Sequence, residues 1–317
     1  MRNLLLGAVL VAAGCWAQTP SPVLLGAGNL SPFPLTVAPG QLLTLFVQSG
    51  GAISQGTSMD VSAVFSSGTD QAMPVLQVVQ ANTGCNAGAG NPCPQVLAVT
   101  VQVPFGIAVI CPLCESPILA VEASITVSVN GVKTPPVSVQ PLQDQVHILT
   151  VCDTSIAGAG ASPAFNGGLP CTPMITHADG RVVSNLLPAK AGEELVAYAT
   201  GLGQTNPALT LGQPASESSP TVTTFGIDFN YRVNALATEP GAVGAPSNFP
   251  LFSGATKGYV GLYQINFIVP PPPAGLQPCV NNAAPIALLN YVRSNLTVSV
   301  GSNFSFDGAG ICVTPVG

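Results

Sequence analysis

Apolar and polar residues alternate with a period of two in many short runs of this chain. Ile125, Val127 and Val129 alternate with Thr126 and Ser128, and Leu296, Val298 and Val300 alternate with Thr297 and Ser299. Successive side chains of a strand point to opposite faces, so each run predicts a strand with one buried face, and its β-branched residues suit that conformation. Asn130-Gly131 follows the first run. Both residues tolerate positive φ, which predicts a tight hairpin turn. Asp179-Gly180 predicts a second turn, between Met174-Ile175-Thr176 and Arg181-Val182-Val183. The apolar run Leu97 to Ile110 is broken by Gln102, Pro104 and Gly106 and predicts a strand followed by a turn. Four prolines, Pro270 to Pro273, predict a stiff extended loop.

The strand patterns recur in order. The run from Pro39 to Val47 matches Ala191 to Ala199 at an offset of 152, Val101 to Pro104 matches Phe267 to Pro270 at 166, and Ile125 to Val129 matches Leu296 to Val300 at 171. A growing offset is what duplication followed by loop insertion produces, since loops accept extra residues at little thermodynamic cost. Many short strands punctuated by Gly and Pro predict an all-β fold of two tandem Ig-like β-sandwich domains. The expected domains are 18–143 and 144–317, divided at the polar stretch around Pro141 to Gln145.

Composition narrows the function classes. Only 6% of the 317 residues are charged and 47% are hydrophobic, with 34 Gly and 31 Pro. Scarce Glu, Lys and Arg with frequent Pro argue against coiled coils, and high hydrophobicity argues against disorder. A net charge of −6 leaves no basic footprint for nucleic acid.

Residues 1–17 read as a signal peptide, with Arg2 before the apolar stretch Leu4 to Ala13, which is too short to span a bilayer. Two cleavage readings stand. Cys15-Trp16-Ala17 offers a cleavage site before Gln18. Ala12-Ala13-Gly14-Cys15 resembles a bacterial lipobox, which would make Cys15 a lipid anchor and the chain's one attachment to a membrane. Under either reading eight cysteines remain, an even number that suits disulfides and an oxidising compartment. The local pairing is Cys85 with Cys93, Cys111 with Cys114, Cys152 with Cys171 and Cys279 with Cys312. The third pair would close the neck of a Gly-rich excursion, Ser155 to Leu169.

Candidate chemistry is sparse. Cys111-Pro112-Leu113-Cys114 has the C-x-x-C spacing of a redox pair or half a metal site, but no thioredoxin-like βαβ pattern surrounds it and a structural disulfide is the simpler reading. No Gly-x-Ser-x-Gly elbow accompanies His147 or His177, and His177 reads as a polar residue flanking the Asp179 turn. Glu193-Glu194 opens a strand, where neighbours point to opposite faces, and reads as an exposed edge. Asp307-Gly308 lacks the acidic series of an EF-hand loop. Tyr259 and Tyr263 would share an apolar strand face with Ile265 and Phe267, whereas Tyr231, between Asn230 and Arg232, is the expected exposed ligand contact.

The run Gly258 to Pro270 (GYVGLYQINFIVP) resembles a signature of the Solibacter-type C-terminal domain, a family of secreted acidobacterial proteins. Tyr198 to Gly203 with Asn206-Pro207 is similar to a second signature, and Ser31-Pro32, Ala38-Pro39-Gly40 and Val127 to Gly131 resemble the preceding half. The resemblance covers most of the mature chain and departs from the family at the cysteines. It implies an exported Ig-like module with no established activity and no catalytic residues. The expectation is therefore a non-enzymatic, secreted or cell-surface adhesion or scaffold protein, without cofactor or metal. Its partners would be other envelope proteins, extracellular proteins or further copies of itself. A carbohydrate-binding module is the alternative, and a secreted hydrolase or thiol-redox protein the third reading.

Overall fold

The computed structural model describes residues 21–28, 35–49, 60–81, 95–109, 122–153, 171–241, 249–280 and 292–316. Among them the chain is all-β, without α-helix, and no helix is long and apolar enough to cross a membrane. The leader, Cys15, Cys85, Cys93, Cys111, Cys114 and the excursion 155–169 lie outside the described residues.

Two pairs of sheets form, each pair around its own core. In the first pair, β1 (Val23–Ala27), β3 (Leu42–Gln48), β7 (Val96–Gln102) and β6 (Val75–Gln80) lie in the order β1-β3-β7-β6. Facing them, β2 (Leu35–Val37), β10 (Val137–Pro141), β8 (Ala123–Val129), β4 (Val61–Ser67) and β5 (Thr69–Met73) lie in the order β2-β10-β8-β4-β5, and the short β9 (Val132–Lys133) also pairs with β8. Leu43, Leu45, Val99 and Val101 from one sheet meet Phe65, Ile125 and Val127 from the other in one buried cluster. Asn130 and Gly131 turn β8 into β9 with φ of 50° and 80°, as their residue types predict.

In the second pair, β11 (His147–Ile148), β13 (Glu194–Thr200), β16 (Tyr263–Ile268) and β15 (Phe252–Ala255) lie in the order β11-β13-β16-β15, and β12 (Ile175–His177) pairs with β13 beside β11. Opposite them, β14 (Gly226–Asn230), β17 (Leu296–Gly301) and β18 (Phe306–Ile311) lie in the order β14-β17-β18. Leu195, Ala197, Ile265 and Phe267 meet Ile227, Val298 and Ile311 in a second cluster. Two sheets enclosing one apolar layer is the arrangement a β-sandwich requires.

The sequence offsets hold at the level of strand register. Leu42 pairs with Gln102 in β3–β7, and their counterparts Glu194 and Ile268 pair in β13–β16. The turns entering these strands match too. Gly40 and Gly192 have φ of 73° and 77° and donate to the carbonyls of Val103 and Val269. Gln41 Oε1 accepts the Ala38 N–H at 2.8 Å, and Glu193 Oε2 accepts the Lys190 N–H at 2.9 Å. The halves differ at their first strand. β1 runs along β3 with an irregularity between Leu24 and Gly26, whereas the corresponding edge of β13 is shared by β11 and β12, with the inserted segment between them.

The halves touch through hydrogen bonds and through close packing of Leu42 on Gly261 and Pro74 on Gly212. Gln102 is buried at their contact, donating to the Gly40 carbonyl at 3.3 Å and accepting the Gly212 N–H at 2.7 Å. Gln204 donates to the Phe105 carbonyl at 3.2 Å. The connecting chain passes so close to Gly201 that a Cβ there would lie 1.9 Å from the Gln145 carbonyl oxygen.

Candidate functional site

A groove of about 460 Å³ opens between the two sheets of the second pair. One wall is made by Ile148, Pro173 and Val183 to Asn185, and the other by β18 and by Asn234 and Arg293. The far wall is held by hydrogen bonds to one side chain. Asn234, at φ 50°, accepts the N–H groups of Arg293 and Ser294 on its Oδ1 at 2.8 and 3.2 Å. The chain after it lies tightly over β18, where a Cβ on Gly308 would sit 2.4 Å from that of Ala237.

Disulfides bracket the groove. Cys152 is joined to Cys171 and Cys279 to Cys312, two of the pairs expected from spacing, with Cα–Cα distances of 5.5 and 5.9 Å. Cys171 and Cys312 both line the groove. The first bond ties the end of β11 to the start of β12, across the neck of the insertion, where Thr150 bridges Pro173. Two disulfides point to an oxidising, non-cytoplasmic environment.

The ionisable groups beside the groove hold loops in place. His147 lies between two carboxylates, its Nε2 3.1 Å from Asp153 Oδ1 and its Nδ1 3.3 Å from Asp307 Oδ2. Burial disfavours the imidazolium, but hydrogen bonds and charge attraction from Asp153 and Asp307 outweigh it and raise the pKa to about 9. Asp153 is buried as well, yet His147 and the N–H and hydroxyl of Thr150 hold it below the usual carboxylate range. Asp307 Oδ2 also accepts the Ile148 N–H at 2.8 Å, joining β11 to β18. Asp144 accepts hydroxyls from Ser302 and Ser305, and burial moves its pKa upward. Among the described residues, no group of three or more His, Cys, Asp or Glu side chains is placed to hold a metal ion.

His177 flanks the Asp179 turn as its position predicts, its carbonyl accepting the Gly180 N–H, but its side chain is buried. It sits on β12, whose neighbour β13 starts beside Glu193. Its Nδ1 hydrogen bonds to Glu193 Oε1, and its Nε2 lies 3.3 Å from the Leu187 carbonyl. Glu193 is therefore not an idle strand edge. Burial opposes its charge, but His177 and the Lys190 N–H hold it below its ordinary range. Glu194 alone is the exposed member of the pair.

Two tyrosine expectations are corrected. Tyr259 does not share a strand face with Tyr263. Gly258 and Gly261 take φ of 85° and 60°, which delays β16 to Tyr263 and leaves Tyr259 exposed in the preceding turn. Tyr231, the expected ligand contact, is half-buried against the second core, with its hydroxyl donated to the Pro270 carbonyl and its pKa pushed up to about 12 by burial. The ring contact among the described residues is Phe229 with Phe267, at the edge of the core. Neither the His147 clamp nor Asp144 was singled out from the sequence, because Asp307 and Ser305 are about 160 positions distant and no local spacing links them.

No family model matches the chain, and no curated protein does. Among solved structures, the crystal structure of a pullulanase complexed with maltotriose from Anoxybacillus sp. LM18-11 overlaps at a TM-score of 0.18 and 9% identity, covering 90% of this chain and 28% of that one. The chain thus spans less than a third of that protein, and at this TM-score the overlap says nothing of fold or activity.

Proposed function

We propose that the protein is an exported, non-enzymatic surface, adhesion or scaffold module: two tandem Ig-like sandwiches, 18–143 and 144–317, behind a signal peptide. The strand orders support the Ig-like reading. In the lettering of that fold, β1-β3-β7-β6 follows A-B-E-D and β10-β8-β4 follows G-F-C, and the second half repeats both orders. The Solibacter-type resemblance supports export, as do the two disulfides.

One observation carries the non-enzymatic reading. Both ring nitrogens of each histidine face acceptors of the chain itself, so neither imidazole offers a nitrogen to a substrate proton. The test is expression of the full chain with its leader, followed by mass spectrometry of the mature N-terminus, thiol titration and a broad hydrolase and oxidoreductase screen. Export with eight oxidised cysteines and no turnover is the expected result. A reactive Cys111–Cys114 pair or measurable turnover would move the protein to the enzyme class.

A further inference from the structure

We propose that the outer face of the β13–β16–β15 sheet binds a strand of neutral polysaccharide. The proposal rests on the reading of the chain as an exported surface or adhesion module and assigns it a ligand class and a binding face distinct from the groove.

Strand alternation sends Leu195, Ala197, Ile265 and Phe267 into the core and therefore Glu194, Val196, Tyr198, Gln264, Asn266 and Ile268 outward. Tyr198 pairs with Gln264, and Gln264 pairs with Gly254 on β15. The Phe252 ring leans along β15 over this glycine, where a Cβ would lie 2.5 Å from Cζ. The Ser219 carbonyl oxygen and the Pro220 Cα crowd the same position at 2.3 and 2.9 Å, so a glycine is what admits both the ring and the neighbouring backbone. Tyr198, Gln264 and the Phe252 ring form a row across three strands. With strands about 4.8 Å apart, the outer strands that carry the two rings lie about 10 Å apart, with the Gln264 amide on the strand between them.

The amides are already oriented. Gln264 Nε2 donates to Asn266 Oδ1 at 3.0 Å, and Asn266 Nδ2 donates to Glu194 Oε1 at 3.0 Å. Among the described residues, Gln264 Oε1 and Glu194 Oε2 accept no hydrogen bond, so the ladder ends in acceptors at the surface. Rings flanking a fixed amide row match a pyranose chain, which offers C–H faces for stacking and hydroxyls along its edge. Glu194 is the one charged side chain that strand register places on this face, with no cation to receive a phosphate, sulfate or uronate. A neutral polymer is therefore the complementary ligand. An apolar protein surface would leave the amide acceptors buried and unpaired, at a cost of about 1–3 kcal/mol each.

Affinity electrophoresis of the full chain through gels containing hydroxyethylcellulose, xylan, galactomannan or polygalacturonate tests this. We expect retardation by at least one of the three neutral polymers, none by polygalacturonate, and little dependence on added NaCl. Tyr198→Ala and Phe252→Ala are each expected to weaken binding about tenfold. Gln264→Leu, which keeps the side chain's bulk, is expected to weaken it without changing the melting temperature. Leu186→Ser, at an exposed site in another loop, should leave it unchanged. Retardation by no neutral polymer, or retardation unaffected by Tyr198→Ala and Gln264→Leu, overturns the proposal. So does capture of an envelope protein that the same variants abolish without any glycan retardation. If the chain is still exported and oxidised, those failures sink the glycan assignment alone and leave the broader reading in place.

Discussion

His147 shows how a single side chain can tie distant segments together. Its imidazolium joins the loop of Asp153 to β18 through Asp307, and the same Asp307 receives the Ile148 N–H. Because its folded pKa, about 9, lies above the ordinary imidazole value of 6.5, the stabilisation is complete below about pH 6.5 and fades as pH rises through 9. A shift of that size corresponds to up to about 3 kcal/mol. His147→Gln should therefore lower stability near pH 6, and the gap from wild type in urea-denaturation midpoints should close by pH 10. A constant gap across that range would mean the ring acts by packing rather than by charge. Short-range rules could not reveal this group. Asp307-Gly308 and His147 carry no local signal of each other, and each finds its partner only when β11 comes to lie beside β18.

Period-two alternation transferred well to the strands. The runs around Ile125–Val129 and Leu296–Val300 are β8 and β17, with their apolar residues in the two cores. Alternation fails where backbone conformation interrupts it, as at Tyr259, because a positive-φ glycine ends the extended geometry that the pattern assumes. The pairing of Cys152 with Cys171 was legible because the first strand of the second half is split and its two parts must be reunited. A disulfide spanning 19 positions stabilises by about 3 kcal/mol, chiefly by restricting the unfolded chain. The double variant Cys152→Ser/Cys171→Ser should lose about that much in guanidinium unfolding. Hydrogen exchange should rise first at β11 and β12, while β3 and β7 in the other half keep their protection.

The contact between the halves includes buried polar bonds beside close apolar approaches such as Leu42 against Gly261. Gln102 fills it with a side chain that is fully enclosed and bonded to both halves. Removing a buried partner leaves the Gly212 N–H unsatisfied at a cost of about 1–3 kcal/mol. Gln102→Ala should therefore separate the thermal unfolding of the two halves, so that calorimetry resolves two transitions where the wild type shows more closely coupled melting. A single unbroken transition in the variant would place the coupling elsewhere, for example in the close packing of Gln143 against Gly203 and of Leu42 against Gly261.

Local patterning was enough to specify strands, turns and the recurrence of strand patterns along the chain. Each of these depends on backbone conformation or on neighbours a few positions away. Folding alone brought His147 between two aspartates, buried His177 against Glu193, packed half of Tyr231 against the second core and set Tyr198 and Phe252 on the strands either side of Gln264. Charge pairing and shared surfaces depend on through-space distance. In a sheet protein with long connections, that distance follows from strand order and register, which no short window of residues contains.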